Sequence, residues 1–114
     1  MTLPDSATSL KPGNKVVVFV HRLNADLSDA ELETYRQMDK STLEAVKRID
    51  GYLGHECTSF KESTVFMSYW RDDEAVMAWA RDPLHREAKE MGRSVFYAQY
   101  RTMVCTVERH HLSD

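Results

Sequence analysis

The stretch Lys15–Arg22, KVVVFVHR, decides the fold of this chain. β-Branched and aromatic side chains favour extended backbone, and successive side chains of a strand point to opposite faces of its sheet. One face receives three valines: Val16, Val18 and Val20. The other face receives Val17, Phe19 and His21. Because both faces are largely apolar, the stretch predicts a central strand that is covered on both sides.

A helix is predicted soon after this strand. Ser28 and Glu31 have the spacing of a capping box, in which each side chain accepts a hydrogen bond from a backbone N–H at the start of the helix. Apolar residues then recur at near-helical spacing from Leu32 to Ile49, with charged residues on the opposite side. The pattern predicts one amphipathic helix, and we expect it to close at Asp50 and Gly51.

Three further runs have strand composition. Tyr52–Phe60 and Ser63–Trp70 are separated only by Lys61 and Glu62, and so short a polar link predicts a hairpin. The third run, Phe96–Val107, is rich in aromatic and β-branched residues. It predicts a last strand.

The segment between the hairpin and the last strand is predicted to be helical. Asp72 or Asp73 can cap a second helix. Asp82 and Pro83 form an N-cap and first-turn pair that starts a further helical stretch. We expect Gly92 to end the helical region.

The resulting order is β-α-β-β-α-β, which is the ferredoxin-like pattern of the α+β class. It predicts a four-stranded antiparallel sheet with two helices on one face. The opposite face, with Val16, Val18 and Val20, would then be apolar and uncovered. Such a face in a small domain implies a partner, and a second copy of the chain in a homodimer is the simplest one.

Composition excludes several classes of protein. The chain has 114 residues, of which 42% are hydrophobic and 29% charged, as expected for one globular domain. Its net charge of -3 and lack of a basic cluster disfavour nucleic-acid binding. The longest apolar run, Val16–Val20, is far shorter than the roughly 20 residues that span a bilayer, so we expect no membrane partner. Cys57 and Cys105 lack metal-ligand spacing and are expected to be free and mostly buried.

The ends of the chain differ from its middle. Residues 1–14 carry prolines, a glycine and small polar residues without hydrophobic periodicity, which predicts a flexible leader. They show no export signal, so we expect a cytoplasmic protein. The folded domain is expected over residues 15–109, followed by a polar tail at residues 110–114.

Four segments carry a resemblance to a known family: GYLGHE at 51–56, SYWRDDEAVMAW at 68–79, DPLHREAKEMGR at 82–93 and FYAQYRTMVCTVER at 96–109. Together with the first strand and helix, they resemble the antibiotic biosynthesis monooxygenase (ABM) family of dimeric α+β-barrel proteins. The resemblance implies two ferredoxin-like protomers whose sheets face one another as a barrel. It also implies a ligand pocket between sheet and helices in each protomer.

The resemblance leaves the reaction open. The family includes cofactor-independent oxygenases of electron-rich aromatic polyketides, haem-degrading oxygenases and members without an assigned reaction. The Asn, Trp and His of its haem-degrading members map to His21, Trp79 and Lys89. A protonated lysine has no lone pair for iron, so haem is possible but disfavoured. His21 or His85 could ligate iron in a different geometry, although we expect His85 to face solvent.

His21 is the first candidate for a catalytic residue. An imidazole near its reference pKa can act as a general base close to neutral pH, although a hydrogen-bonded structural histidine would fit equally well. Arg101 is the second candidate, because a guanidinium can stabilise an oxyanion. On a regular strand Tyr97 and Arg101 point one way and Tyr100 the other, so only a bulge would bring all three into one pocket.

Five aromatic residues are candidates for substrate binding, although core packing would explain each of them too: Phe19, Phe66, Trp70, Trp79 and Tyr97. We therefore predict a monooxygenase-like enzyme that acts on a small aromatic or conjugated ligand, with no metal and no organic cofactor. Two alternatives stay open. The first is a non-catalytic small-ligand-binding or stress-response dimer, and the second is a haem-degrading monooxygenase with an altered haem site.

Overall fold

A computed structural model describes residues 10–113 of the chain. Four strands form one antiparallel sheet in the order β2-β3-β1-β4. The α+β ferredoxin-like fold predicted from the sequence is confirmed. Its elements are β1 (Lys15–Leu23), α1 (Asp29–Val46), β2 (Tyr52–Phe60), β3 (Ser63–Trp70), α2 (Asp73–Ala80), α3 (Pro83–Met91), a π-helical turn (Gly92–Phe96) and β4 (Tyr97–Thr106).

Helix α1 begins with the predicted capping box. The Ser28 hydroxyl accepts from the Glu31 backbone N–H at 3.1 Å, and the Glu31 carboxylate accepts from the Ser28 backbone N–H at 2.9 Å. The helix ends at Val46, earlier than expected, because tighter turns take over. The Ile49 backbone N–H bonds to the carbonyl of Val46 at 3.1 Å, three residues back rather than four. Gly51, with φ +93°, then turns the chain into β2.

The helical region does not end at Gly92, so that expectation was wrong. A π-helical turn continues to Phe96, which is buried. A side chain at Gly92 would collide with the ring of Tyr97, because an added Cβ would lie 2.8 Å from its Cδ2. The glycine is thus needed for the close approach of an aromatic ring rather than for a helix stop.

The core lies between the helices and one face of the sheet. Val46 of α1, Trp70 of β3 and Ala75 of α2 are its buried centre. Trp70 pairs with Lys15 at one end of β1, whereas His21 lies six residues further along the strand. At about 3.3 Å per residue, roughly 20 Å separates this core from His21.

The other face of the sheet carries an apolar stripe that the helices leave uncovered. Cross-strand pairs place Val16 beside Tyr69, and Val18 between Met67 and Met103. The predicted cysteine burial was wrong: Cys57 and Cys105 are both exposed, because they lie on the edge strands β2 and β4.

The predicted division of the chain concerns its two ends. Most of the expected leader, residues 1–9, and Asp114 of the expected tail lie outside the described residues. Asn14, which we assigned to the leader, is buried and packs with the fold. Its side-chain amide donates to the carbonyl of Arg71 at 3.0 Å, and its own carbonyl accepts from the Val107 N–H at 2.8 Å.

Candidate functional site

His21 lies on the helix-facing side of the sheet, beneath α1, and is only 7% exposed. Its Nε2 is 3.3 Å from the hydroxyl of Tyr35, which projects from α1. Its Nδ1 is buried and has no hydrogen-bond partner among the described residues. A buried imidazole nitrogen without a partner is unusual in a folded protein and marks this place as a candidate site.

Aromatic rings surround the imidazole. The ring centroids of Phe19 and Tyr97 lie 4.9 Å and 4.7 Å from that of His21. Tyr35 packs edge-on against the buried Phe96 at 5.3 Å. The structure thus brings together three of the predicted site residues, His21, Phe19 and Tyr97.

A bulge in β4 turns Tyr97 towards this cluster. Leu23 pairs with Tyr97, but its neighbour Arg22 pairs with Gln99, so Ala98 is left without a partner on β1. Tyr97 and Tyr100 therefore both lie on the helix-facing side, as the sequence allowed only with a bulge. Tyr100 is 47% exposed and lies at the margin of the cluster.

The local environment sets the charge of these groups. Burial lowers the pKa of His21, so the imidazole is neutral at pH 7. Burial, followed by the nearby charge of Asp39, raises the pKa of Tyr35 to about 12. Burial, together with Tyr35 and Asp39, also raises the pKa of Tyr97. At neutral pH the site therefore holds a basic nitrogen and protonated phenols.

Arg101 does not belong to this cluster. It pairs with Val20 across β1 and β4, and paired residues share a face of the sheet. Val20 lies on the face opposite to His21, so Arg101 does as well. Our expectation that Arg101 would act in one pocket with His21 is corrected by the register of β4.

Trp70 and Trp79 lie with the core, at the far end of the sheet from His21. Trp70 is 1% exposed, and its indole N–H donates to the Ser68 hydroxyl at 2.9 Å. Trp79 packs against the core and stacks on His85 with centroids 4.3 Å apart. His85 is thus half-buried rather than solvent-facing, and its Nδ1–H donates to the Trp79 carbonyl at 3.0 Å.

A groove of about 370 Å³ runs between α1 and β2, beside the cluster. Tyr35 forms one part of its wall and His55 another. His55 stacks on Phe66, the remaining predicted site residue, with centroids 5.1 Å apart. Its Nδ1 is hydrogen-bonded to the hydroxyl of Tyr52. The groove is lined by Tyr35, Arg36, Asp39, Lys40, Leu43, Glu44, Lys47 and His55.

Sequence reasoning missed Tyr35, Asp39 and His55 as site residues. Tyr35, Asp39 and Leu43 recur every four residues, so they share one face of α1. That spacing was the available signal, because a helix crossing above a histidine-bearing strand presents such a face to it. His55 carries no such periodic signal in the sequence.

Other surfaces offer less. A second groove of about 560 Å³ lies on α2 and α3; like the first it is lined mainly by charged side chains, but none of its residues is hydrogen-bonded to His21. Within residues 10–113, no three His, Cys, Asp or Glu side chains are grouped so as to hold a metal ion. Over the same residues, no helix is both long and apolar enough to cross a bilayer.

The sheet order, the helices on one face and the histidine enclosed by aromatic rings define a ferredoxin-like protein with a candidate small-molecule site. Within this class, the chain belongs to the monooxygenase af470-like family, whose sequence model matches residues 16–105. The resemblance to the ABM family is thereby confirmed.

Solved structures share the fold at low sequence identity. SnoaB of Streptomyces nogalater, a cofactor-independent oxygenase, has a TM-score of 0.71 and 15% identity, over 90% of this chain and 99% of that one. A candidate antibiotic biosynthesis monooxygenase of Nitrosomonas europaea has a TM-score of 0.69 and 8% identity, over 86% of this chain and 93% of that one. A dimeric ferredoxin-like protein of unknown function from Bacteroides fragilis has a TM-score of 0.63 and 15% identity, over 83% of this chain and 97% of that one.

One relative is similar at the sequence level. The uncharacterized protein YqjZ of Bacillus subtilis is 36% identical over 63 residues, which are 54% of this chain and 55% of YqjZ. The match therefore spans about half the length of this relative.

Proposed function

We propose that the protein is a monooxygenase-like enzyme that oxidises a small aromatic or conjugated substrate with dioxygen, without an organic cofactor, and that His21 is its general base. The observation that carries the proposal is a buried imidazole among aromatic rings whose one hydrogen-bond partner among the described residues is the hydroxyl of Tyr35. Membership of a monooxygenase family supports it.

The chemistry needs a substrate with an acidic C–H bond, such as the CH₂ group of anthrone. Deprotonation of this carbon, with His21 as the final acceptor of the proton, leaves an electron-rich carbanion. The carbanion transfers an electron to dioxygen, and the resulting pair combines into a carbon-bound peroxide. Loss of water from the protonated peroxide forms a carbonyl group, so one oxygen atom enters the product and the other leaves as water.

The site contributes mainly by excluding water from this reaction. Phe19 and Tyr97 give the imidazole an apolar surrounding that keeps water away from it. A protonated His21 would be adjacent to the faces of these rings, which attract cations. Arg101 lies on the other face of the sheet and has no part in the proposed reaction of a single protomer.

We further propose that the active form is a homodimer in which the uncovered faces of two sheets pack together. The apolar stripe of Val16, Val18, Met67 and Met103 supports this arrangement, because a small protein rarely leaves such a surface in water. The structural neighbour from Bacteroides fragilis is described as dimeric.

Oxygen uptake by the purified protein with anthrone tests the proposed reaction. We expect uptake that depends on protein concentration, that is lost in His21→Ala and that is retained in His110→Ala, a matched change at an exposed histidine. Uptake that persists unchanged in His21→Ala would contradict the assignment of the base. Tight anthrone binding without uptake would favour the non-catalytic ligand-binding alternative.

The residues present do not fit a haem ligated in the way the family resemblance suggested. Lys89, at the position of the axial histidine, is an exposed ammonium without a lone pair. His85 is stacked on Trp79 and bonded to its carbonyl. We therefore expect haem titration to give no sharp Soret band at a one-to-one ratio, and such a band would revive the haem-degrading alternative.

A further inference from the structure

We propose that the substrate binds in the groove between α1 and β2, and that its proton reaches His21 through the hydroxyl of Tyr35. This inference rests on the proposed function and assigns its substrate site and proton route. It makes Tyr35 a catalytic residue, whereas His21 acts one hydrogen bond behind it.

The first step of the argument concerns access. His21 is almost completely enclosed, and it does not line the groove. Tyr35 does line the groove, and its hydroxyl lies 3.3 Å from Nε2 of His21. A molecule in the groove therefore meets the phenol and not the imidazole. Direct transfer to Nδ1 would require the surrounding rings to open.

The second step concerns the direction of the hydrogen bond. Tyr35 keeps its proton at neutral pH, because burial and the charge of Asp39 hold its pKa at about 12. The neutral His21 can accept that proton at Nε2 when its own proton is on Nδ1. The hydroxyl oxygen of Tyr35 has two lone pairs: one accepts from the hydroxyl of Tyr97, and the other can accept a proton from the groove.

The third step balances the transfer. As the substrate C–H bond breaks, its proton binds the Tyr35 oxygen, while the original phenolic proton moves to Nε2 of His21. The products are a substrate carbanion, a neutral tyrosine and an imidazolium. No free phenolate forms, so the raised pKa of Tyr35 is not an obstacle.

The groove also indicates the chemical class of the substrate. Its volume of about 370 Å³ lies towards the lower end of the roughly 300–1,000 Å³ usual for small-molecule sites. Tyr52 is protonated at neutral pH and shares a hydrogen bond with Nδ1 of His55; in the tautomer whose Nδ1 accepts, Nε2–H of His55 is a donor to the groove. The conjugated substrate of the proposed function would place its acidic C–H group at the Tyr35 end and an acceptor oxygen at the His55 end, and the charged side chains along α1 favour polar substituents on it.

Tyr35→Phe tests the route, because it removes only the hydroxyl. With anthrone we expect kcat to fall about 100-fold or more, as for the loss of a general acid–base group. The Kd for anthrone, measured by fluorescence without oxygen, should stay within twofold. Thr34→Val is the control: it removes an exposed hydroxyl from the neighbouring position of α1, which does not line the groove, and it should keep full activity. A Tyr35→Phe variant with kcat within twofold of the unchanged protein would overturn the route.

A double variant and the histidine variant separate this inference from the proposed function. If both residues act in one relay, His21→Ala combined with Tyr35→Phe should be no slower than His21→Ala alone. A further loss in the double variant would overturn the relay. Loss of activity in His21→Ala with full activity in Tyr35→Phe would leave the proposed base standing and refute only the route.

Nuclear magnetic resonance of the ¹⁵N-labelled protein provides a test that needs no turnover. We expect the imidazole of His21 to carry its proton on Nδ1 at pH 7, and a proton on Nε2 instead would overturn the route. Added anthrone should shift the amide signals of Tyr35, Leu43 and His55. Shifts confined to residues outside the groove would overturn the substrate site.

Discussion

Replacing Gly92 with alanine tests how the site holds the ring of Tyr97. The added Cβ would lie 2.8 Å from Cδ2 and 3.2 Å from Cζ of that ring. Carbon atoms do not approach this closely without strain, so the ring or the π-helical turn must move. The ring is also confined by Phe19 and His21, at centroid distances of 5.5 Å and 4.7 Å.

Two opposing effects set the size of the change. Overfilling a packed site destabilises a protein by about 1–3 kcal/mol. Gly92 has helical dihedral angles, so alanine also gains up to about 1 kcal/mol of helix propensity. We therefore expect the free energy of unfolding to fall by about 0–2 kcal/mol in Gly92→Ala.

The double-mutant cycle with Tyr97→Ala isolates the contact. Once the ring is absent, Gly92→Ala should be neutral or stabilising by up to about 1 kcal/mol, which gives a coupling energy of about 1–3 kcal/mol. Urea unfolding followed by circular dichroism, at one protein concentration, measures all four proteins. A coupling energy of zero would refute the packing of Tyr97 on Gly92.

Three more predictions follow from other parts of the structure. Gly51 and Gly13 have nearly equal φ angles of +93° and +95°, but only at Gly51 would a Cβ meet another atom, the Cβ of Ala75 at 2.6 Å. Gly51→Ala should therefore destabilise by about 1–3 kcal/mol more than Gly13→Ala, and equal losses in urea unfolding would contradict this. Burial lowers the pKa of His21, and the base must be neutral to act. The value of kcat/KM for anthrone should therefore rise with pH through an apparent pKa below 6.5 and then stay level. A midpoint above 6.5 would refute this. Val18→Asp should convert the proposed dimer to monomers in sedimentation equilibrium, and a dimer that survives the change would exclude the uncovered sheet face as its interface.

The elements that depend on local signals were predictable. The hairpin strands Tyr52–Phe60 and Ser63–Trp70 have the predicted bounds, because their composition and short link need no distant partner. The capping box at Ser28 is likewise a contact between residues three apart. The last strand was predicted to within one residue at each end, since alternation and composition both mark it.

The errors occur where tertiary packing overrides a local rule. Glycine commonly ends a helix, but at position 92 it is required because a larger side chain would collide with the ring of Tyr97. Arg101 was assigned to the site by its chemistry, whereas the register with Val20 decides its face. Tyr35 was not singled out from the sequence, because spacing along a helix does not show which strand residue lies below it.

The unpaired Ala98 in β4 has a consequence for how this site can diversify. Removing that single residue would restore regular alternation while Tyr97 stays opposite Leu23 and Gln99 opposite Arg22, so Tyr97 and Tyr100 would keep their common face. A one-residue insertion or deletion elsewhere in this edge strand would instead exchange the side chains beyond it between the helix-facing side of the sheet and its uncovered face. When site residues are compared among relatives, β4 should first be aligned at its bulge, and residue types should be matched only afterwards.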